Sequence, residues 1–215
     1  MTEEWQYSKD LVTTVSECEE CLCTLVLSDN EPAEITIYTR QGTLFSQHFT
    51  KECPNRWCRR RYHFGYSTKE DTKLYDRITS EKKYLITSNE TAFAVDYLYE
   101  NTLHMLYSNA TVQGLTDVYN NFHNYDPKKK ITRKDLIPKR LASAFYLYGI
   151  LEFGDMHNID RTMKTNNNNW LDEYILEQYP SLKSSFSNVW CASHQCKVEN
   201  CEGMMISDGG MKIYR

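Results

Sequence analysis

Eight cysteines constrain this chain more than any other feature, because they are clustered rather than scattered. They fall at Cys18, Cys21 and Cys23, at Cys53 and Cys58, and at Cys191, Cys196 and Cys201. Thiols this close are either disulfide partners or metal ligands, and the redox compartment decides between the two. The chain opens Met1-Thr2-Glu3-Glu4-Trp5, acidic where a secretory leader would be basic and then apolar. No apolar run approaches the roughly 18 residues needed to cross a bilayer. Secretion and a membrane location are therefore not expected, and a reducing compartment is. There, thiolates two to four residues apart converge on one tetrahedral ion, most often zinc.

Two candidate zinc sites follow. The first pairs Cys18-x2-Cys21 with Cys53-x4-Cys58, four sulfurs from two short loops, with Cys23 able to replace Cys18 or Cys21. The 31 residues between the pairs exceed the usual spacing of a zinc ribbon. The second is Cys191-x2-His194-x-Cys196-x4-Cys201, three sulfurs and one ring nitrogen within eleven residues. The competing reading is that these thiols are simply buried and inert, since free Cys is among the most buried residue types.

With 215 residues the chain is long enough for one sizeable core or two small ones, without staples. The pattern predicts an α+β protein in three parts. Residues 1–66 read as a zinc-ribbon-like β lobe, in which Ile35 and Ile37, a turn at Gly42, then Leu44 and Phe49 form a hairpin joining the cysteine loops. Tyr62, Phe64 and Tyr66 suit a further strand, and Tyr84-Leu85-Ile86 another. Residues 67–188 read as a small helical domain. One helix is expected from Ser88 with Val95, Leu98, Tyr99 and Leu106 on its face, and a second near Thr111 with Val112, Leu115, Val118, Tyr119 and Phe122. A third starts at Pro138 with Leu141, Phe145, Tyr148 and Leu151 inward, and a fourth runs from Trp170 to a stop at Pro180. Residues 189–215 hold the Cys/His knuckle and a short hairpin around Asp208-Gly209-Gly210.

The 25 cations against 29 carboxylates leave a net charge of −4, which by itself disfavours a nucleic-acid binder. The distribution says otherwise. Between residues 51 and 66, Lys51, Arg56, Arg59, Arg60 and Arg61 face only Glu52. Between 127 and 143, Lys128, Lys129, Lys130, Arg133, Lys134, Lys139 and Arg140 face only Asp135. Such islands can hold DNA phosphate by releasing its counterions, or can be no more than solvated faces. Common enzyme signatures are missing: there is no Gly-rich phosphate loop, HExxH pair or nucleophile elbow.

Several separated motifs carry a resemblance. Glu52-Cys53-Pro54-Asn55-Arg56-Trp57-Cys58, Thr87-Ser88-Asn89-Glu90-Thr91-Ala92-Phe93 and Tyr119-Asn120-Asn121-Phe122-His123-Asn124 resemble the cysteine-cluster domain found upstream of KDZ transposases. The ending, His194-x-Cys196-x4-Cys201 followed by Asp208-Gly209-Gly210-Met211-Lys212, resembles the entry into the KDZ transposase domain. The resemblance implies a transposon-derived protein with a zinc-chelating cluster, acting in the nucleus or otherwise the cytoplasm. It also implies an RNase H-like nuclease whose first magnesium-binding carboxylate would be Asp208. Two-metal phosphoryl transfer needs several convergent carboxylates, so Asp208 is expected to be catalytic only within a longer transposase, and Mg²⁺ to belong there too. The expected function is thus a zinc-binding accessory module touching DNA phosphate through Arg56, Arg59, Arg60, Arg61, Lys128, Lys129, Lys130, Arg133 and Lys134. The alternative is a zinc-stabilised protein-interaction scaffold that binds no nucleic acid.

Overall fold

A computed structural model describes residues 10–79, 81–123, 135–157, 159–165, 170–193, 205–207 and 211–213, with side chains as far as residue 185 apart from 155 and 156. The strands are β1 (Val26–Leu27), β2 (Ala33–Thr39), β3 (Gly42–His48), β4 (Lys51–Glu52), β5 (Arg61–His63), β6 (Tyr66–Lys69), β7 (Thr72–Tyr75), β8 (Tyr84–Ser88) and β9 (Thr91–Ala94). Helices α1 (Val95–Ser108), α2 (Val112–His123) and α3 (Pro138–His157) follow, then β10 (Thr162–Lys164), α4 (Trp170–Ser193) and the pair β11 (Met205–Ser207) and β12 (Met211–Ile213).

The α+β class is as expected, but the strands are shared out differently. The hairpin β2–β3 forms, with Thr39 opposite Gly42 across a two-residue turn. Gly42 sits at φ +122, a conformation side chains rarely adopt, and the His123 ring lies 3.4 Å from where a Cβ would stand. This hairpin does not build the cysteine lobe. It lies in a four-stranded sheet of order β3-β2-β9-β8, with β2 parallel to β9, whereas the cysteine loops belong to a six-stranded sheet of order β1-β4-β5-β6-β7-β10. Residues 35–39 of β2 are all buried, as a central strand covered on both faces requires. Strand pairing also crosses residue 66 twice, through β2 with β9 and through β5 with β6.

The helices cover the four-stranded sheet: α1 rests on β9 and β2, α2 on β3, and α3 on β8. One continuous core results, from Ile35, Ile37, Tyr38 and Phe93 through Leu98, Leu141, Leu147 and Leu151 to Tyr66, Tyr75 and Met163 of the second sheet. Some buried polar groups find partners within it, whereas the hydroxyls of Tyr75 and Tyr97 are buried without one. Tyr38 donates to the Asp135 carbonyl at 3.0 Å and accepts from Arg140 at 3.3 Å, and the hydroxyls of Tyr119 and Thr43 meet at 3.1 Å. No helix among the described residues is long and apolar enough to cross a membrane.

Three helix expectations need correction. The helix expected from Ser88 begins at Val95: residues 91–94 are all buried, residues 91–93 pair with β2, and Ser88 serves a turn, accepting from the Glu90 amide at 3.4 Å. Burial of Ala92 and Phe93 outweighs the capping signal. The inward face of α1 is consequently Tyr97, Leu98 and Asn101, leaving Tyr99 and Leu106 exposed. In α2, Leu115, Thr116 and Tyr119 point inward while Val118 and Phe122 face solvent. Helix α4 passes through Pro180 instead of stopping there. The proline is exposed, as is Leu176, four residues earlier, whose carbonyl loses its helical donor to the proline ring. The third helix starts at Pro138 and buries Leu141, Tyr148 and Leu151 as expected.

Candidate metal centre

Both cysteine loops arise where the chain must reverse beside the six-stranded sheet. The first is closed by a bridge between Glu17 and Thr24, with the Cys18 amide donating to the Cys23 carbonyl at 2.9 Å and the Leu22 amide to the Cys18 carbonyl at 2.8 Å. The second links β4 to β5, closed by the Cys53 amide donating to the Arg60 carbonyl at 3.0 Å. Inside it Asn55 organises the turn: its carbonyl accepts from the Cys58 amide at 3.0 Å and its side-chain oxygen from the Trp57 amide at 3.0 Å. Each loop ends its cysteine pair with a left-handed residue, Leu22 at φ 57 after Cys21 and Arg59 at φ 52 after Cys58. Since β1 pairs with β4, the two loops are held side by side.

The consequence is a cluster of four sulfurs. Those of Cys18, Cys21, Cys53 and Cys58 all lie within 4.8 Å of one another, with Cys18 to Cys58 at 3.5 Å and Cys21 to Cys53 at 3.3 Å. Tetrahedral coordination with bonds of about 2.3 Å would put the sulfurs roughly 3.8 Å apart, so the arrangement is already close to that of a bound ion. Cys23 lies outside the group of four; its interaction with the Cys21 sulfur, and then burial, push its thiol up. The four sulfurs that converge are those of the pairs Cys18/Cys21 and Cys53/Cys58.

The cluster sits in a small core of its own: Cys18, Leu25, Cys53, Cys58 and Tyr62, separate from the main one. So few apolar side chains would hold two loops together poorly, and an ion cross-linking them would compensate. The surroundings favour thiolate unevenly. Burial opposes ionisation of Cys18, but the Tyr62 hydroxyl, which donates to its sulfur at 3.4 Å, and nearby backbone amides win and lower it to about 6. Tyr62 in turn accepts from the Glu19 amide at 2.9 Å, so its orientation is fixed. Burial pushes Cys53 up to about 12, and Cys58 up as well, with the crowding sulfurs adding to it. Four neighbouring thiolates without a cation are mutually repulsive; a divalent ion removes the conflict.

Charged groups ring the site, and spacing alone did not show them. Glu20, inside the first loop, accepts from Arg60 at 2.6 Å, from Lys69 at 2.8 Å and from the Cys58 thiol at 3.3 Å. Lys69, then Cys58 and Arg60, hold its carboxyl down at about 2. The available signal was complementary charge: Glu19-Glu20 in one cysteine loop and Arg59-Arg60-Arg61 at the end of the other.

The first basic island therefore divides. Arg60, with its side chain only 15% exposed, is committed to Glu20 and more distantly to Glu19. Arg61 pairs with Glu52 at 3.2 Å, and Lys51 donates to the Val15 carbonyl at 2.8 Å. Arg56 and Arg59 remain outward, beside an almost fully exposed Trp57. Lys128, Lys129, Lys130, Arg133 and Lys134 of the second island lie outside the described residues, as do His194, Cys196, Cys201 and Asp208; Cys191 is in α4, but its side chain is not described. The expected C-terminal hairpin is present as β11 paired with β12.

Comparison with known families agrees with the cluster. The family model described as "CxC5 like cysteine cluster associated with KDZ transposases" matches residues 6–123. The chain belongs to that family. The matched region holds all four clustered cysteines, strands β1 to β9 and helices α1 and α2. No curated protein and no solved structure matches the chain.

Proposed function

We propose that this member of the CxC5-like family is a zinc-dependent structural module that contacts DNA phosphate from the loop the ion supports. The observation carrying the reading is the convergence of four sulfurs from two loops 31 residues apart. Soft thiolates in a tetrahedral set suit Zn²⁺ over hard cations such as Mg²⁺ or Ca²⁺. A shell of four cysteines is closed: it leaves no position for water or substrate, so the ion shapes the protein and does no chemistry of its own. With zinc bound, Cys18 and Cys21 tie residues 10–27 to the sheet edge that bears Cys53 and Cys58.

DNA contact follows from what that clamp displays. Arg56 and Arg59 lie outward on the turn between Cys53 and Cys58, so the ion fixes their spacing before any polyanion arrives. The second basic island, from Lys128 to Arg140, would add to the same nonspecific attraction. Such a role places the protein in the nucleus.

Two measurements test this. Native mass spectrometry of the purified chain should show zinc bound, and Cys18→Ser with Cys53→Ser should lose the N-terminal site. DNA affinity should fall steeply with salt, and further on chelation. Salt-independent or absent DNA binding, together with a protein partner retained after nuclease treatment, would instead establish a scaffold.

A further inference from the structure

Trp57 is 95% exposed, the most exposed large apolar side chain among the described residues, and contributes nothing to either core. Its backbone is nonetheless tightly held. The Asn55 side chain accepts from the Trp57 amide at 3.0 Å, the Asn55 carbonyl accepts from Cys58 and Arg59, and both flanking cysteines are in the sulfur cluster. Arg56 precedes it, and Arg59, whose Nε donates to the Arg56 carbonyl at 3.2 Å, folds back over the same turn. The neighbouring carboxylates already have cations: Glu20 binds Arg60 and Lys69, and Glu52 binds Arg61. The tip thus carries an exposed indole with the exposed Arg56 and Arg59 on the same turn, which an ion at the sulfur cluster would make rigid.

We infer that this tip is a stacking site for an unpaired nucleotide, with Trp57 against the base and Arg56 and Arg59 on the adjoining phosphates. Resting on the DNA-contact reading above, it narrows the substrate to single-stranded or locally opened nucleic acid. A flat aromatic ring takes any base with little regard to sequence, while a stacked duplex offers no exposed base face to it. Two exposed arginines on the same turn suit a backbone that carries one charge per nucleotide. An acidic protein surface would satisfy the arginines but leave the indole without a planar partner.

Binding of the full-length, zinc-loaded chain to a short oligothymidylate, to a duplex and to inorganic polyphosphate distinguishes these contributions. Trp57→Ala should weaken oligothymidylate binding about tenfold or more and leave duplex and polyphosphate affinity unchanged. Trp57→Phe should recover most of the loss, and since the side chain packs on nothing, neither variant should change the melting temperature. Arg56→Ala with Arg59→Ala should reduce the salt dependence on all three polyanions by about one phosphate contact per arginine. Wild-type oligothymidylate affinity in Trp57→Ala overturns the stacking site; if the arginine variants still reduce the salt slope, phosphate contact survives it. No binding to any of the three removes both readings. A nuclease-resistant protein partner lost in Trp57→Ala, with nucleic-acid binding intact, overturns the inference in favour of protein docking.

Discussion

Lowering the pH to 5.5 attacks this fold at a place away from the cysteine cluster. His48, only 5% exposed at the end of β3, and His63 at the end of β5 bring their rings within 5.4 Å. His63 stacks on Tyr66 with centroids 4.5 Å apart, and its two nitrogens meet the hydroxyls of Thr50 at 3.2 Å and Thr68 at 3.3 Å. His48 Nε2 accepts from the Phe64 amide at 3.4 Å, a role only the neutral ring can fill. Burial first, then the Lys73 ammonium, hold His48 at about 4; burial, then His48, Lys73 and Arg61, hold His63 at about 3. Both values lie below the ordinary 6.5, so the unfolded chain takes up protons that the native state refuses. Stability is therefore full above about pH 6.5 and falls as the pH drops from there toward the folded values. One unit below 6.5 costs about 1.4 kcal/mol per histidine, so the pair accounts for roughly 3 kcal/mol at pH 5.5. Urea unfolding of the wild type and of a His48→Gln, His63→Gln variant, each at pH 7 and pH 5.5, measures the difference. The variant keeps all the cysteines, so any loss of metal in acid is common to both proteins and cancels. The variant should start less stable at pH 7 yet lose roughly 3 kcal/mol less on acidification. An equal loss in both proteins, or imidazole resonances titrating near 6.5, would refute the reasoning.

The metal centre makes further predictions. Chelation, or Cys53→Ser, should free the two loops; the chain entropy of tying Cys21 to Cys53 amounts to about 4 kcal/mol, readable as a lowered urea midpoint and faster amide exchange in β1 and β4. Tyr62→Phe removes the hydrogen bond to the Cys18 sulfur and should weaken metal binding about 10- to 100-fold in a chelator competition. Leu22→Gly relieves a left-handed residue and should raise stability by about 1 kcal/mol in urea unfolding, whereas a β-branched Leu22→Val should lower it. Gly42→Ala puts a side chain at a φ of +122 and should cost about 1–3 kcal/mol by the same assay.

What the sequence revealed about the fold follows a physical pattern. Features specified by a few adjacent residues were readable: the turn before Gly42, the start of α3 at Pro138, and the two cysteine pairs. Features specified by distant pairing were not. Strands β4 to β7 are two to four residues long and rich in Lys, Arg, Thr and Tyr; only registers such as Lys51 with Tyr62 and Tyr66 with Tyr75 define them. β10 takes its place by pairing with β7, almost ninety residues earlier, and no local period announces it. Ser88 misled because its turn imitates a helix cap, and the parallel partner that makes residues 91–94 a strand is β2. The basic island shows the same limit at the site. Counting charge made Arg60 a phosphate contact, while the fold turns it inward to Glu20, leaving Arg56 and Arg59 to face outward.

Glu20 links the sulfur cluster to the sheet beside it. Its carboxylate accepts from Arg60 and Lys69 while also taking the Cys58 thiol proton's hydrogen bond, so it prefers Cys58 protonated. Metal uptake requires that proton to leave, after which a thiolate and a carboxylate face each other at close range. The two cations at Glu20 moderate that repulsion, and the divalent ion removes most of what is left. Breaking the balance should be visible: Glu20→Gln deletes the repulsion but also the ion pairs to Arg60 and Lys69, freeing two cations beside a cluster that carries net negative charge once four thiolates hold Zn²⁺. Metal affinity should therefore rise, and the pH midpoint of metal release shift downward, although the metal-free chain becomes less stable. Measured by chelator competition across pH 5 to 8, a weaker site in Glu20→Gln would show that its carboxylate supports the cluster chiefly by positioning Arg60 and Lys69.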